Sequence, residues 1–251
     1  MKFIQPFFIL LAILFGNCSF ANLKTIICKD DYVGSEVEHY SHKYLVVDNN
    51  TLRESFRDFA IGKIHLCTSH VTDMSHLSNL LSNEALYRNL PIGITSWDTS
   101  NVTTMEGMFE NLYSFNQNIG DWDTSKVKDM SQMFKNAYSF NYDINKWNVS
   151  SVDNMTAMFF NAHAFNKPLD KWDISNVVYT QDMFNGAYSF NQDISHWDTS
   201  NIVIMNNMFY DAKSFNQDIS SWDVSMIKSR FRYSFANKQY LDADNWPIFS
   251  N

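Results

Sequence analysis

Apolar and polar residues recur along this chain with a period of 25 residues. A tryptophan opens each period, and the residues that follow it repeat one pattern of apolar positions. The tryptophans with this spacing are Trp97, Trp122, Trp147, Trp172, Trp197 and Trp222. A fixed period of about 20–50 residues is typical of solenoids, in which each repeat forms one coil and stacks on the next. The sequence therefore predicts a stack of 25-residue coils over most of the chain.

The spacing within a block predicts one helical segment and one extended segment per coil. In the second block four apolar residues stand at i, i+3, i+4 and i+7, which is one face of a short helix or 3₁₀ turn. They are Met130, Met133, Phe134 and Ala137. The stretch 140–147 is short and bounded by Asn and Asp, and it is predicted as an extended rung of a parallel sheet. We therefore predict an α/β fold, a leucine-rich-repeat-type solenoid with parallel rungs and a short helix or 3₁₀ turn per coil.

The ends of the repeat depart from this pattern. Leu66-Cys67-Thr68-Ser69 matches the start of the first regular block, but 31 residues separate Leu66 from Trp97. We predict a repeat solenoid over 66–246, with regular coils over 97–221 and a C-terminal cap over 222–251. Residues 22–65 are predicted to form an N-terminal cap, with a strand over 44–47 and a helix from about 52 to 60. Thr51 and Glu54 have the spacing of a capping box at the start of that helix.

Residues 1–21 have the pattern of a secretory signal peptide. Lys2 precedes the apolar run 7–15, and Ser19 and Ala21 are the small residues of a cleavage site after Ala21. A membrane anchor would need about 20 apolar residues, and Asn17 is a poor neighbour for a lipid-modified Cys18. No other apolar run approaches spanning length. We therefore expect a secreted or cell-surface protein without a transmembrane segment in its mature chain.

Charge and cysteine content narrow the classes of partner and of fold. The formal net charge of −8 argues against a nucleic-acid binder, which needs a basic face to displace counterions. After cleavage Cys28 and Cys67 remain. In an oxidising compartment such a pair most simply forms one disulfide, and two buried thiols are the alternative.

Polar residues also form columns at the 25-residue spacing. Asparagine follows a Phe at positions 116, 141, 166, 191 and 216, which favours a structural ladder over a ligand-binding one. Aspartates stand at 98, 123, 173, 198 and 223 and again at 143, 193 and 218. Ca²⁺ would relieve repulsion between stacked carboxylates, but calcium rolls use glycine-rich turns, and these coils have few glycines. We favour aspartates that hydrogen bond the turn after them, and expect no bound metal.

These repeats resemble those of the BspA-like leucine-rich-repeat surface protein family, which follow W-D-x-S-N-V-T-x-M-x-x-M-F-x-x-A-x-x-F-N-x-D-I. The resemblance covers roughly residues 66–246, with departures at Asn148, Pro168 and Thr180. It implies a secreted or surface-exposed protein, and some members of the family are regarded as adhesins. The motif is specific for the fold and carries no information about a ligand.

The chain lacks the common catalytic signatures. It contains no glycine-rich phosphate loop, no G-x-S-x-G and no H-E-x-x-H. His65, His70 and His76 lie close in sequence, but histidines on the surface of a cap are the simpler interpretation. We therefore expect no enzyme activity and no cofactor.

Binding specificity would lie at positions that vary between coils. One variable column contains Tyr113, Tyr138, His163, Tyr188 and Lys213. The candidate partner-binding residues are the tyrosines of that column together with Phe160, Tyr179 and Tyr210, since aromatic residues dominate interface energetics. We expect a binding or adhesion module for a protein or glycan surface. A structural envelope component without a specific ligand is the alternative, in which the tyrosines only shield the phenylalanines beneath them.

Overall fold

The computed structural model of the chain describes residues 24–82, 89–228, 234–236 and 242–249. The predicted signal peptide and part of the predicted C-terminal cap lie outside the described residues. Within those residues no helix is both long enough and apolar enough to cross a membrane. Short 3₁₀ helices over Leu77–Leu80, Ile92–Ser96 and Ala243–Asn245 flank the regular coils.

The N-terminal region is a small sheet with one helix. Strands β1 (Glu36–His39) and β2 (His42–Val46) form an antiparallel hairpin, and β3 (His65–Cys67) pairs with β2 in parallel. Helix α1 (Asn49–Ala60) connects β2 to β3. A parallel pair needs such a crossover connection, which explains why a helix lies between these two strands.

The helix starts three residues earlier than predicted, and the predicted capping box is wrong. Asp48 is the N-cap: its carboxylate accepts from the backbone N–H groups of Asn50 and Thr51, while the Thr51 hydroxyl accepts from the Asp48 N–H. Asp48 lies two residues after the end of β2 and has extended backbone angles, which place its carboxylate over the first helical turn. The helix buries Leu52, Phe56 and Phe59 in the core that the repeats share, and the Phe59 and Trp97 ring centroids are 5.0 Å apart.

The regular coils contain a chain of turns where a short helix was predicted. Met133 and Ala137 donate their N–H groups to the carbonyls three residues earlier, but Gln132 and Asn136 have left-handed backbone angles, with φ of 57° and 59°. A left-handed residue at every fourth position interrupts a helix. It also directs alternate N–H groups outward, so Met130, Gln132, Phe134 and Asn136 donate to carbonyls of the next coil.

In the second coil, the backbone hydrogen bonds to the adjacent coils lie within residues 128–139 and not within 140–147. Parallel bridges join residues 25 apart, from Thr104 to Asp129 and Asn154, then Tyr179 and Ile204. The predicted rung over 140–147 is therefore misplaced: its apolar residues Phe140, Ile144 and Trp147 are spaced by four and three, which suits successive turns. The 25-residue coils thus stack in parallel register. Their assignment to the leucine-rich-repeat class stays a prediction.

Buried aromatic columns fill the coils. In the second coil Phe134 and Phe140 stack at 3.9 Å between ring centroids, and each repeats its contact with the next coil at 5.6–5.8 Å. The Trp147 indole N–H donates to the Ile119 carbonyl, 28 residues earlier in the chain, at 3.0 Å. The N-terminal cap, the repeats and the partly buried Trp246 all contact one apolar core.

Candidate functional site

The variable aromatic column forms a continuous stack on the outside of the coils, which we call the outer stack. It consists of Tyr113, Tyr138, His163, Tyr188 and Lys213. The ring centroids are 5.0 Å apart between the first pair, then 4.6 Å and 4.2 Å, and the rings around His163 are parallel within 4°. The Lys213 ammonium ends the stack, 3.8 Å from the centroid of the Tyr188 ring. Such a contact is an attractive cation–π interaction.

The backbone around each member fixes this geometry. Tyr138 follows the left-handed Asn136 and lies between Ala137 and Phe140, both fully buried, so its own ring is directed outward. The N–H of Ser139 donates to the Tyr113 carbonyl at 3.1 Å, and the N–H of Ala164 donates to the Tyr138 carbonyl at the same distance. These bonds hold consecutive coils in register at the stack.

The outer stack is partly exposed and nearly neutral. Tyr138 is 39% exposed, and Tyr113, His163 and Tyr188 are half-buried. Burial first, and the charge of Lys213 second, lower the pKa of His163, so its imidazole is uncharged at neutral pH. Lys213 also lies 4.0 Å from the Asp211 carboxylate.

The structure divides the predicted partner-binding residues into two groups. Tyr113, Tyr138 and Tyr188 come together in the outer stack. Phe160 and Tyr210 stand three positions before the stack column in coils that are not adjacent, and Tyr179 lies at the bridge between coils. Tyr179 and Tyr210 are 41% and 46% exposed, and Phe160 is half-buried. Among the described residues, none of these three makes a ring contact with the outer stack.

His163 and Lys213 belong to the site although the predicted set contained only aromatic residues. Their spacing of 25 residues from Tyr138 and Tyr188 was the signal. A flat imidazole can stack between two phenol rings, and an ammonium can cover a ring face. A search for tyrosine and phenylalanine misses these two members of the stack, and the 25-residue period finds them.

The aspartate columns hydrogen bond their own turns, which supports the simpler of the two interpretations. Asp173, Asp198 and Asp223 each accept from the N–H of the serine two residues on, at 2.9–3.0 Å. Hydrogen bonds from that serine, through its hydroxyl and its N–H, lower the pKa of each of these carboxyl groups. Within the described ranges, no group of three or more His, Cys, Asp or Glu is placed to hold a metal ion.

The asparagine column is a structural ladder. The side-chain oxygen of each Asn accepts from the backbone N–H of the next Asn in the column at 3.0 Å, from Asn116 through Asn216. A second ladder was not predicted. The Asn136 side-chain amide donates to the Asn111 side-chain oxygen, and the Asn161 amide donates to that of Asn136. The signal was the run of Asn, Gly and Asp at this left-handed position.

The predicted disulfide joins Cys28 of the N-terminal cap to Cys67 at the end of β3; the two cysteines are 39 positions apart in sequence, and their Cα atoms are 6.4 Å apart. The three histidines that lie close in sequence have separate partners. His70 contacts the carbonyls of Cys28 and Asp31, His65 packs against the ring of Tyr44, and His76 pairs with a glutamate. They do not form a common site.

One protein family matches the chain, in two overlapping segments. Its description is "Mycoplasma protein of unknown function, DUF285", and it covers residues 50–169 and 142–246. No curated protein and no solved structure matches the chain.

Proposed function

The chain belongs to the DUF285 repeat family, and on that premise we propose that it is a secreted or cell-surface binding module of the BspA-like leucine-rich-repeat class. The module has no enzymatic role, and its partner is a protein. The observation that carries the proposal is the outer stack, a row of aromatic edges and polar tips that backbone hydrogen bonds between consecutive coils hold in register. Phenol, imidazole and ammonium groups in such a row can exchange hydrogen bonds with a facing surface.

The stack geometry favours a protein over a glycan. Its rings lie 4.2–5.0 Å apart and nearly parallel, so neighbouring rings cover each other's faces. A sugar that packs on an aromatic side chain needs an exposed ring face. The edges and polar tips that remain suit the mixed apolar and polar contacts of a protein interface. The net charge of −8 disfavours an acidic partner surface.

The test is a binding screen of the processed chain, from Asn22 on, against extracellular proteins and against an array of glycans. For a protein partner, we expect Tyr138→Ser combined with Tyr188→Ser to weaken binding at least tenfold, which is about 1.4 kcal/mol. The matched control is Tyr142→Ser. Tyr142 is 38% exposed, close to the 39% of Tyr138, and it is not part of the stack. Equal weakening by the control, or binding to glycans alone, would contradict the proposal.

A structural envelope component is the second candidate, and the ring contacts themselves favour it. Rings that pack on one another stabilise the stack of coils whether or not a partner is present. This alternative requires no ligand. It gains if the double variant loses as much stability as removal of a buried core ring would cost, about 3–5 kcal/mol, and the screen finds neither a protein nor a glycan that binds.

A further inference from the structure

A second surface of the repeats lies at the bridges between coils. Each regular coil has two consecutive outward residues before its buried Met or Thr, which we call its corner: 103–104, 128–129, 153–154, 178–179 and 203–204. Backbone contacts align the corners along the stack. In the last two regular coils the Val203 N–H donates to the Val178 carbonyl at 3.0 Å, and Tyr179 bridges Ile204.

The corners change character along the stack. The first three are polar or charged: Thr103-Thr104, Lys128-Asp129 and Asp153-Asn154. The last two are apolar: Val178-Tyr179 and Val203-Ile204. Tyr179 is 41% exposed and the other three are half-buried, so these side chains form an apolar patch in contact with water. The polar corners of the first three coils show that the coil does not require apolar residues at these positions.

Opposite charges bound this patch at its two ends. Asp153 precedes Val178 by one coil, and Lys228 follows Val203 by one coil, and both are exposed. The register of the coils continues as far as Ile227, the residue before Lys228. Trp222 stacks on Trp197 at 6.1 Å, and the Thr199 hydroxyl donates to the Asp223 carbonyl. The Ile227 N–H donates to the Val224 carbonyl, as the Ile202 N–H donates to the Thr199 carbonyl one coil earlier. Within the described part of the chain neither Asp153 nor Lys228 forms an ion pair.

We propose that this patch joins two copies of the chain in an antiparallel dimer. A two-fold axis between the fourth and fifth coils places Val178 against Val203 of the second copy and Tyr179 against its Ile204. The same axis places Asp153 against Lys228 of the second copy, and the reverse pair forms by symmetry. A two-fold interface must be self-complementary, and the order Asp, Val, Val, Lys along the corner column satisfies that condition. The outer stack takes no part in this contact.

The contact is small, so the dimer is expected to be weak. Stable interfaces bury about 800 Å² on each partner, and the corners of two coils supply only a fraction of that area. We expect a dissociation constant in the range of about 10–500 µM, measured on the processed chain by sedimentation velocity over a concentration series.

The first variant is Val203→Lys, which should weaken the dimer at least tenfold and leave the unfolding midpoint close to that of the parent. Lys128 and Lys228 occupy the equivalent position in other coils, so a lysine there is compatible with the coil. A chain that stays monomeric across the series would overturn the proposal. An unchanged dissociation constant for Val203→Lys would do the same.

A charge exchange tests the antiparallel arrangement. Asp153→Lys and Lys228→Asp should each weaken the dimer severalfold, because each places like charges opposite one another. The two changes together should restore the parent affinity. Lys128→Asp is the matched control, because Lys128 lies in the same column. The two-fold axis places Lys128 beyond the last coil of the second copy, so this variant should not change the dissociation constant. A double variant as weak as the single ones would overturn the antiparallel contact.

Discussion

Two aromatic stacks run side by side along the coils, and they differ in solvent exposure. The inner stack consists of phenylalanines such as Phe134 and Phe140, which are fully buried and 3.9 Å apart between ring centroids. The outer stack is spaced at 4.2–5.0 Å and is partly exposed. The inner columns contain phenylalanine in every regular coil, whereas the outer column admits tyrosine, histidine and lysine.

The difference separates what stacking requires from what burial requires. Rings can stack wherever a 25-residue period brings flat side chains into register, and residue identity matters little for that. Burial adds a demand for apolar surface and constant volume, since an interior packed at crystal density tolerates neither voids nor unpaired polar atoms. The inner stack is therefore uniform, and the outer stack is free to carry specificity.

The sharpest test of this comparison removes a ring from the interior. Trp147→Ala should destabilise the chain by about 3–5 kcal/mol, because it leaves a cavity at a nearly fully buried site. The Ile119 carbonyl also loses one of its two donors and keeps the Trp122 N–H. Urea unfolding followed by circular dichroism measures the change. An unfolding midpoint equal to that of the parent would mean that the tryptophan column does not support the core.

A smaller effect is expected from the ladder that lies next to the inner stack. Asn166→Ala should cost about 1–2 kcal/mol, because the Asn191 N–H loses its acceptor and the Asn166 N–H keeps its own. Asn176→Ala is a comparison at an exposed asparagine that donates to the Ser150 carbonyl. If the two variants lose the same free energy of unfolding, the asparagine column has no special role in joining coils.

A single change in the outer stack should cost still less. Tyr138→Ser removes ring contacts with Tyr113 and His163 at a site that is 39% exposed. The expected loss is about 0.5–1.5 kcal/mol, the range for an aromatic pair, again measured by urea unfolding. A loss as large as that of Trp147→Ala would show that the outer stack is part of the core and would favour the structural alternative.

The smallest effect is a pH dependence confined to the outer stack. Burial and Lys213 hold the pKa of His163 below its ordinary value, although Asp211 opposes this. A histidine with a lowered folded-state pKa contributes stability above its unfolded pKa, about 6.5, and loses that contribution as the pH falls through the folded pKa. His163→Tyr should keep the stack and reduce the loss of stability between about pH 7 and pH 5.

The measurement is the unfolding midpoint across that pH range. Trp147→Ala is the background for comparison, because this variant is less stable than the parent but retains His163. The pH dependence should persist in that background and shrink in His163→Tyr. If His163→Tyr and the parent respond to pH identically, the imidazole in the stack does not titrate differently from one in water.

The period, the buried columns and the cysteine pair could be predicted from the residues alone. These are properties of position. One set of apolar residues at one spacing has to face the same way in every coil, and Cys28 and Cys67 are the two cysteines outside the predicted signal peptide. The start of α1 was wrong by three residues, because Asp48 and Thr51 are both good caps and only the path of β2 into the helix chooses between them.

The positions at which the coils pair, and the side chains that meet there, depend on the folded structure. The spacing of Met130, Met133 and Phe134 suits a helix as well as a chain of turns, and the left-handed residues that distinguish them include Gln132 and Ala157, types that seldom adopt that conformation. Hydrogen bonds to the adjacent coils offset the local cost at those positions, and they form only when the coils stack. Contacts between coils, such as His163 between two tyrosines or Val178 beside Val203, likewise depend on coil register that no single repeat contains.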